Sequence, residues 1–187
     1  INIIANSGAD IIEIGMPFSD PMADGPTIQL SSQRAIKQNI NLMKIFSICK
    51  EFRKNNNITP IVLMGYYNPI HHFGDKNFIK ECCIAGIDGL IIVDLQPEND
   101  DYLANLAKKN NIEFIRLVTP TTNKTRLKTI LSNASGFIYY VSITGVTGAK
   151  FSNLNKLKIS INSLKKRTKL PVVVGFGIKT KKQAKNM

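Results

Sequence analysis

No stretch of this 187-residue chain approaches the roughly 20 consecutive apolar residues that a membrane-spanning helix needs. The opening residues, INIIANSGADIIEIG, lack the basic stretch and the small-residue cleavage site of a secretion signal. The two absences together point to the cytoplasm. Cysteines are few: Cys49, Cys82 and Cys83 are odd in number and have no C-x-x-C spacing. Buried, reduced thiols are therefore expected, and a disulfide framework is not. The two histidines form a doublet, His71-His72, in the turn-like segment NPIHHFGD with no ligand set around it, so no metal site is expected. Acidic residues are scarce as well, 13 against 25 basic ones, giving a net charge of +12 and a pI near 9.7.

Such a balance can mark a nucleic-acid or anionic-membrane binder. Here the lysines are spread over KKN, KTRLK, KLK, LKKRTK and KTKKQAK, mostly on expected outer helix faces, and no nucleic-acid recognition motif accompanies them. The expected reading is a solvated basic surface with sites for small anions. Length and an apolar content of 43% fit one domain with a real core. The chain starts at Ile1 and closes on IKTKKQAKNM, which reads as the first turns of a helix without a C-cap, so the expectation is a piece of a longer protein.

Continuous apolar runs recur: DIIEI (10–14), PIVLMG (60–65), DGLIIV (88–93), EFIRLV (113–118), GFIYYV (136–141) and PVVVG (171–175). Runs apolar on both faces are typical of parallel strands covered by helices. Amphipathic stretches lie between them. LMKIFSICKEFRK (42–54) puts Leu42, Ile45, Phe46, Cys49 and Phe52 on one helical face. PENDDYLANLAKKN (97–110) begins with Pro and acids and ends in lysines, as a helix dipole favours. Further helices are expected at 121–133, capped by Thr122 or Asn123, and at 152–168. Strand-helix alternation predicts a parallel sheet, either an open doubly wound sheet or a (β/α)8 barrel. No G-x-G-x-x-G follows the first strand, which weakens the dinucleotide-binding alternative. About six βα units in this length fit a (β/α)8 TIM barrel truncated at both ends by about one unit, a single domain over 1–187.

In such folds chemistry sits beyond the C-terminal ends of the strands. Those positions hold Glu13, Pro17, Asp20 and Asp24; then Tyr66, Tyr67 and Asn68; then Asp94; later SITGVTGAK and GFGI. The two glycine-rich turns suit an anion such as phosphate, or are ordinary turns. Glu13 alternates with Ile12 and Ile14. Pointing inward, it would be a desolvated carboxyl able to give and take a proton near neutrality; pointing outward, it would pair with a lysine. Asp24, eleven residues on, either reaches back over the same mouth or caps the helix that follows.

GADIIEIGMPFSDPMADGPTIQ, with VLMGYYNPI, GLIIVDLQPE, VTPTT, SITGVTGA and VVVGFGI in order, closely resembles the tryptophan synthase alpha chain family across essentially the whole sequence. The resemblance implies a (β/α)8 barrel that cleaves indole-3-glycerol phosphate to indole and glyceraldehyde 3-phosphate by a retro-aldol reaction. It implies Glu13 as general acid/base and Asp24 as the second catalytic carboxylate. Tyr66 and Tyr139 match indole-pocket positions, and Thr147 a mobile-loop threonine. Gly148, Phe176 and Gly177 match the phosphate grip. Pro17, Asp20, Asn68 and the region around Pro97 match the surface that docks a beta subunit in an alpha2beta2 heterotetramer. No cofactor is implied in this subunit; pyridoxal phosphate is expected in the beta partner. Ile143 and Gln96 depart from the family pattern, in the mobile loop and at the partner surface, and the first and last strands of the barrel are missing from the match.

Overall fold

The computed structural model describes residues 1–141, 154–175 and 180–186. The chain divides into two compact units, Ile1–Phe114 and Ile115–Met187. The first begins with α1 (Asn2–Asn6), β1 (Ile12–Gly15), α2 (Pro26–Lys37), α3 (Leu42–Arg53) and β2 (Ile61–Gly65). It continues with α4 (Tyr67–Phe73), α5 (Asp75–Ala85), β3 (Gly89–Ile92), a 3-10 turn at Pro97–Asn99, α6 (Asp101–Lys109) and β4 (Glu113–Phe114). Its four strands are parallel in the order β1-β2-β3-β4. Parallel pairing brings all their C-terminal ends to one edge.

Register decides which side chains meet the helices, because successive strand residues point to opposite faces. Ile12 lies beside Ile61, Ile14 beside Leu63, and Leu63 beside Leu90. These residues pack with Ile45, Phe46, Cys49 and Phe52 of α3 and with Phe78, Ile79 and Cys82 of α5 in one core. The α3 face expected from periodicity is thus the buried one, with Leu42 packed at its margin. Asn41 starts that helix by accepting the Lys44 N–H at 3.0 Å. Phe46 anchors the layer, its ring 6.0 Å from that of Phe73 and 5.8 Å from that of Phe78. Each fully buried side chain of this kind contributes roughly 1.5–3 kcal/mol.

Several local expectations change. The helix expected from Pro97 begins at Asp101, because Asp100 is buried and its carboxylate accepts the Ala104 N–H at 3.2 Å. Pro97 opens the preceding 3-10 turn instead. The His71-His72 doublet lies on α4, not in a turn, with the His71 ring 5.6 Å from that of Tyr67. Cys49 and Cys82 are buried, whereas Cys83 is exposed. Among the described residues no helix is long and apolar enough to cross a membrane.

The second unit holds β5 (Arg116–Val118), α7 (Lys124–Ser132), β6 (Ile138–Val141), α8 (Leu154–Lys165), β7 (Val172–Gly175) and α9 (Lys181–Asn186). Its strands are parallel in the order β5-β6-β7. Val118, Ile130, Ile138, Tyr140 and Leu164 form its core. Asn123 is the α7 cap, accepting the Arg126 N–H at 2.8 Å. The EFIRLV run, expected as one strand, is two: Glu113–Phe114 pairs with β3, and Arg116–Val118 pairs with β6.

Candidate active site

Glu13 is the middle of β1, in register with Val62, which in turn stands beside Gly89. Since Ile12 and Ile14 pack toward the helices, Glu13 projects from the opposite face of the sheet, the one that also carries Val62, Met64 and Ile91. Glu13 is accessible to solvent, yet enough protein lies around it for desolvation to raise its carboxyl above the usual 4.5. Among the described residues no cation pairs with it; the ion pairs there are Lys50–Glu81, Arg53–Asp88 and Lys54–Glu51. The lysine-paired, outward alternative is therefore not found among the described residues.

Asp24 sits in the loop between β1 and α2. Gly25, not Asp24, is the N-cap of α2, and that cap involves no side-chain hydrogen bond. The Asp24 carboxylate instead interacts with the hydroxyl of Tyr66, the residue after β2. Burial raises the Asp24 carboxyl, and the Tyr66 hydroxyl partly offsets that. Tyr66 itself is buried, and burial with Asp24 and Asp94 nearby pushes its hydroxyl up to about 12. It therefore remains a protonated donor at neutral pH. Its oxygen also accepts the Ala23 N–H at 2.9 Å, and its ring lies 5.5 Å from that of Phe18. Next to it, the Tyr67 N–H donates to Asp94 Oδ1 at 2.8 Å, bridging the ends of β2 and β3.

The structure thus gathers Asp24, Tyr66 and Asp94 beyond the strand ends of the first unit, on the same sheet as Glu13. Pro17 is half-buried, while Asp20, Asn68 and Gln96 are exposed. Tyr139 lies in β6 of the second unit, half-buried, with its ring so close to Gly175 of β7 that a β-carbon there would overlap it. Ile143, Thr147, Gly148, Phe176 and Gly177 lie outside the described residues. Sequence reasoning missed Ser32, whose hydroxyl contacts Phe18 across 14 residues. A serine in a helix leaves no periodic trace. It also missed the hold of Tyr66 on Ala23, which spans 43 residues.

A family model described as tryptophan synthase alpha chain matches residues 1–187. The chain belongs to the tryptophan synthase alpha chain family. Its fold is similar to that of tryptophan synthase subunit alpha from Legionella pneumophila str. Paris, at 39% identity and a TM-score of 0.89, over 99% of this chain and 68% of that one. It is also similar to a chain of the tryptophan synthase complex from Pyrococcus furiosus, at 37% identity and a TM-score of 0.85, over 96% of this chain and 71% of that one. A chain from work on mutual activation in the a2b2 complex of the same hyperthermophile matches at 39% identity and a TM-score of 0.87, over 97% and 73% of the two chains. The fold class is accordingly the α/β barrel of this family, over the part of it that the chain spans.

Proposed function

We propose that this chain is the alpha subunit that cleaves indole-3-glycerol phosphate to indole and glyceraldehyde 3-phosphate, with Glu13 and Asp24 as its catalytic pair. The observation that carries the assignment is the environment of Glu13: a carboxyl with a raised pKa and no cation among the described residues, on the sheet face opposite the helix-packed core. Glu13 protonates C3 of the indole ring, giving an indolenine. The same carboxylate then takes the proton of the neighbouring glycerol hydroxyl. The carbon–carbon bond breaks, its electron pair returns to the ring, and the hydroxyl carbon leaves as an aldehyde. Asp24 accepts the indole N–H and stabilises the positive charge that develops on the ring. The steps balance without a redox partner, so no cofactor is assigned to this subunit.

Tyr66 and Tyr139 line the indole pocket in this proposal, and Thr147, Gly148, Phe176 and Gly177 serve the loop and phosphate grip; for these the support is the family pattern. Pro17, Asp20 and Asn68 form part of a docking face for a pyridoxal-phosphate beta subunit in an alpha2beta2 assembly that receives the indole. Relatives crystallised as the tryptophan synthase complex support this. The setting is cytoplasmic. The two units belong to a single barrel domain. The 187 residues alone are inactive in this reading, since they span 68% of the Legionella relative. Activity therefore belongs to the full-length alpha chain. The direct test is release of indole from indole-3-glycerol phosphate by that chain, with and without a beta subunit; no indole under either condition would overturn the assignment.

A further inference from the structure

The loop from Met16 to Gly25 carries Asp24 and contains no helix or strand. It is nevertheless tied at several points. The Met16 N–H donates to Met64 O at 2.7 Å, which fixes the start of the loop to β2. Two residues on, the Phe18 N–H donates to Ser32 Oγ at 2.8 Å, and the same hydroxyl donates to Phe18 O at 2.9 Å. One side chain thus satisfies both backbone groups of Phe18, as a neighbouring strand would. Phe18 in turn lays its ring against Tyr66, and Tyr66 holds Ala23 and reaches Asp24. Gln29 Nε2 donates to Asp24 O at 2.8 Å.

Ser32 and Gln29 both belong to α2, which has no buried residue. This helix contributes nothing to the core of its unit, so the contacts are not by-products of core packing. Its polar side chains brace the loop that carries Asp24.

We infer that Ser32 is a positioning residue for the alpha reaction, clamping Phe18 so that, together with Tyr66, it holds the loop with Asp24 already presented to the substrate. The inference rests on the reading of Asp24 as a catalytic carboxylate. Prior positioning matters because misplacing a catalytic group by about 1 Å can cost on the order of 100-fold in rate. The Ser32 hydroxyl bonds the backbone of Phe18 and neither carboxylate, so it acts through that backbone.

The test uses the full-length alpha chain with its beta subunit, and compares wild type, Ser32→Ala, Ser32→Thr, Asp24→Asn and the Ser32→Ala/Asp24→Asn double variant. Indole release is measured with kcat and KM separated. Ser32→Ala is expected to lower kcat by about 10-fold while KM changes less than about two-fold. Ser32→Thr, which keeps the hydroxyl, restores most of the rate. In the Asp24→Asn background Ser32→Ala adds no further loss, because the group it positions is already disabled. Equal losses in both backgrounds overturn the inference, as does a Ser32→Ala enzyme within two-fold of wild type beside a crippled Asp24→Asn enzyme. A fully active Asp24→Asn enzyme overturns the reading of Asp24 itself. If Ser32→Ala does not fold, Ser32→Cys takes its place: the thiol fills nearly the same space but is a much weaker hydrogen-bond partner for Phe18, and the same kcat loss and non-additivity are required of it.

Discussion

Glu13 stands beside Val62 in the β1–β2 register, on the sheet face opposite the one that Ile12 and Leu63 turn to the helices. That placement makes the carboxyl costly to ionise. Its pKa is raised by desolvation above 4.5, so the native state holds its proton to higher pH than the unfolded chain does. The stability this confers is full below 4.5 and is lost as pH rises through the raised native value.

Replacing Glu13 by Gln, which is never charged, should therefore raise the melting temperature at pH 7. The gain should vanish as the pH is lowered below 4.5. Thermal unfolding of the two proteins across this range checks it. A variant less stable than wild type at pH 7 would contradict a desolvated carboxyl.

Arg53 is the structural counterpart at the opposite end of the strands. Its guanidinium donates to Gly86 O, Asn56 O and Thr59 O, and to Asp88 Oδ2 at 2.6 Å. The same Asp88 oxygen accepts the Ile61 N–H at 2.7 Å, tying the start of β2 to the segment before β3. Arg53→Ala should cost about 2–3 kcal/mol in urea unfolding, since three carbonyls lose their donor, while the half-exposed Asp88 makes the ion pair itself a minor part. Arg53→Lys should recover little, because one ammonium cannot span this fork. Gly86 has φ +70 and would press a β-carbon against Arg53, so Gly86→Ala should also destabilise.

Gly175 tests the second unit. A β-carbon there would fall on the Tyr139 ring. Gly175→Ala should lower the unfolding midpoint, and Tyr139→Ala should relieve most of that penalty when the two are combined. A penalty that persists in the double variant would contradict this contact.

Thiol reactivity follows exposure. Burial raises the Cys49 thiol to about 11 and raises Cys82 further, while Cys83 is exposed. Native protein should release one equivalent of chromophore quickly from a disulfide reagent and two only on unfolding. Rapid reaction of all three would contradict the packing of α3 against α5.

Much of this architecture is legible in the residue pattern, and its failures have physical causes. The apolar runs locate the described strands because each sheet packs a face that demands Ile, Leu and Val. The alternation of Glu13 with Ile12 and Ile14 puts it on the opposite face from them, but which face is turned to the helices is decided by packing that the sequence does not encode. The break at Ile115 is invisible because both halves of EFIRLV remain apolar. The NPIHH stretch looks like a turn because it contains Asn and Pro, yet Pro69 is tolerated in the first turn of α4, where its missing N–H has no partner to lose. The contacts of Asp24 and Ser32 depend on residues brought together from distant positions, which no local spacing encodes.

The catalytic assignment of Glu13 is tested most directly by indole release from the full-length alpha chain carrying Glu13→Gln, in complex with its beta subunit. Gln preserves the shape and removes the proton donor and acceptor. Turnover should fall by at least about 100-fold, with KM little changed. Turnover within a few-fold of wild type would contradict Glu13 as the group that moves the proton.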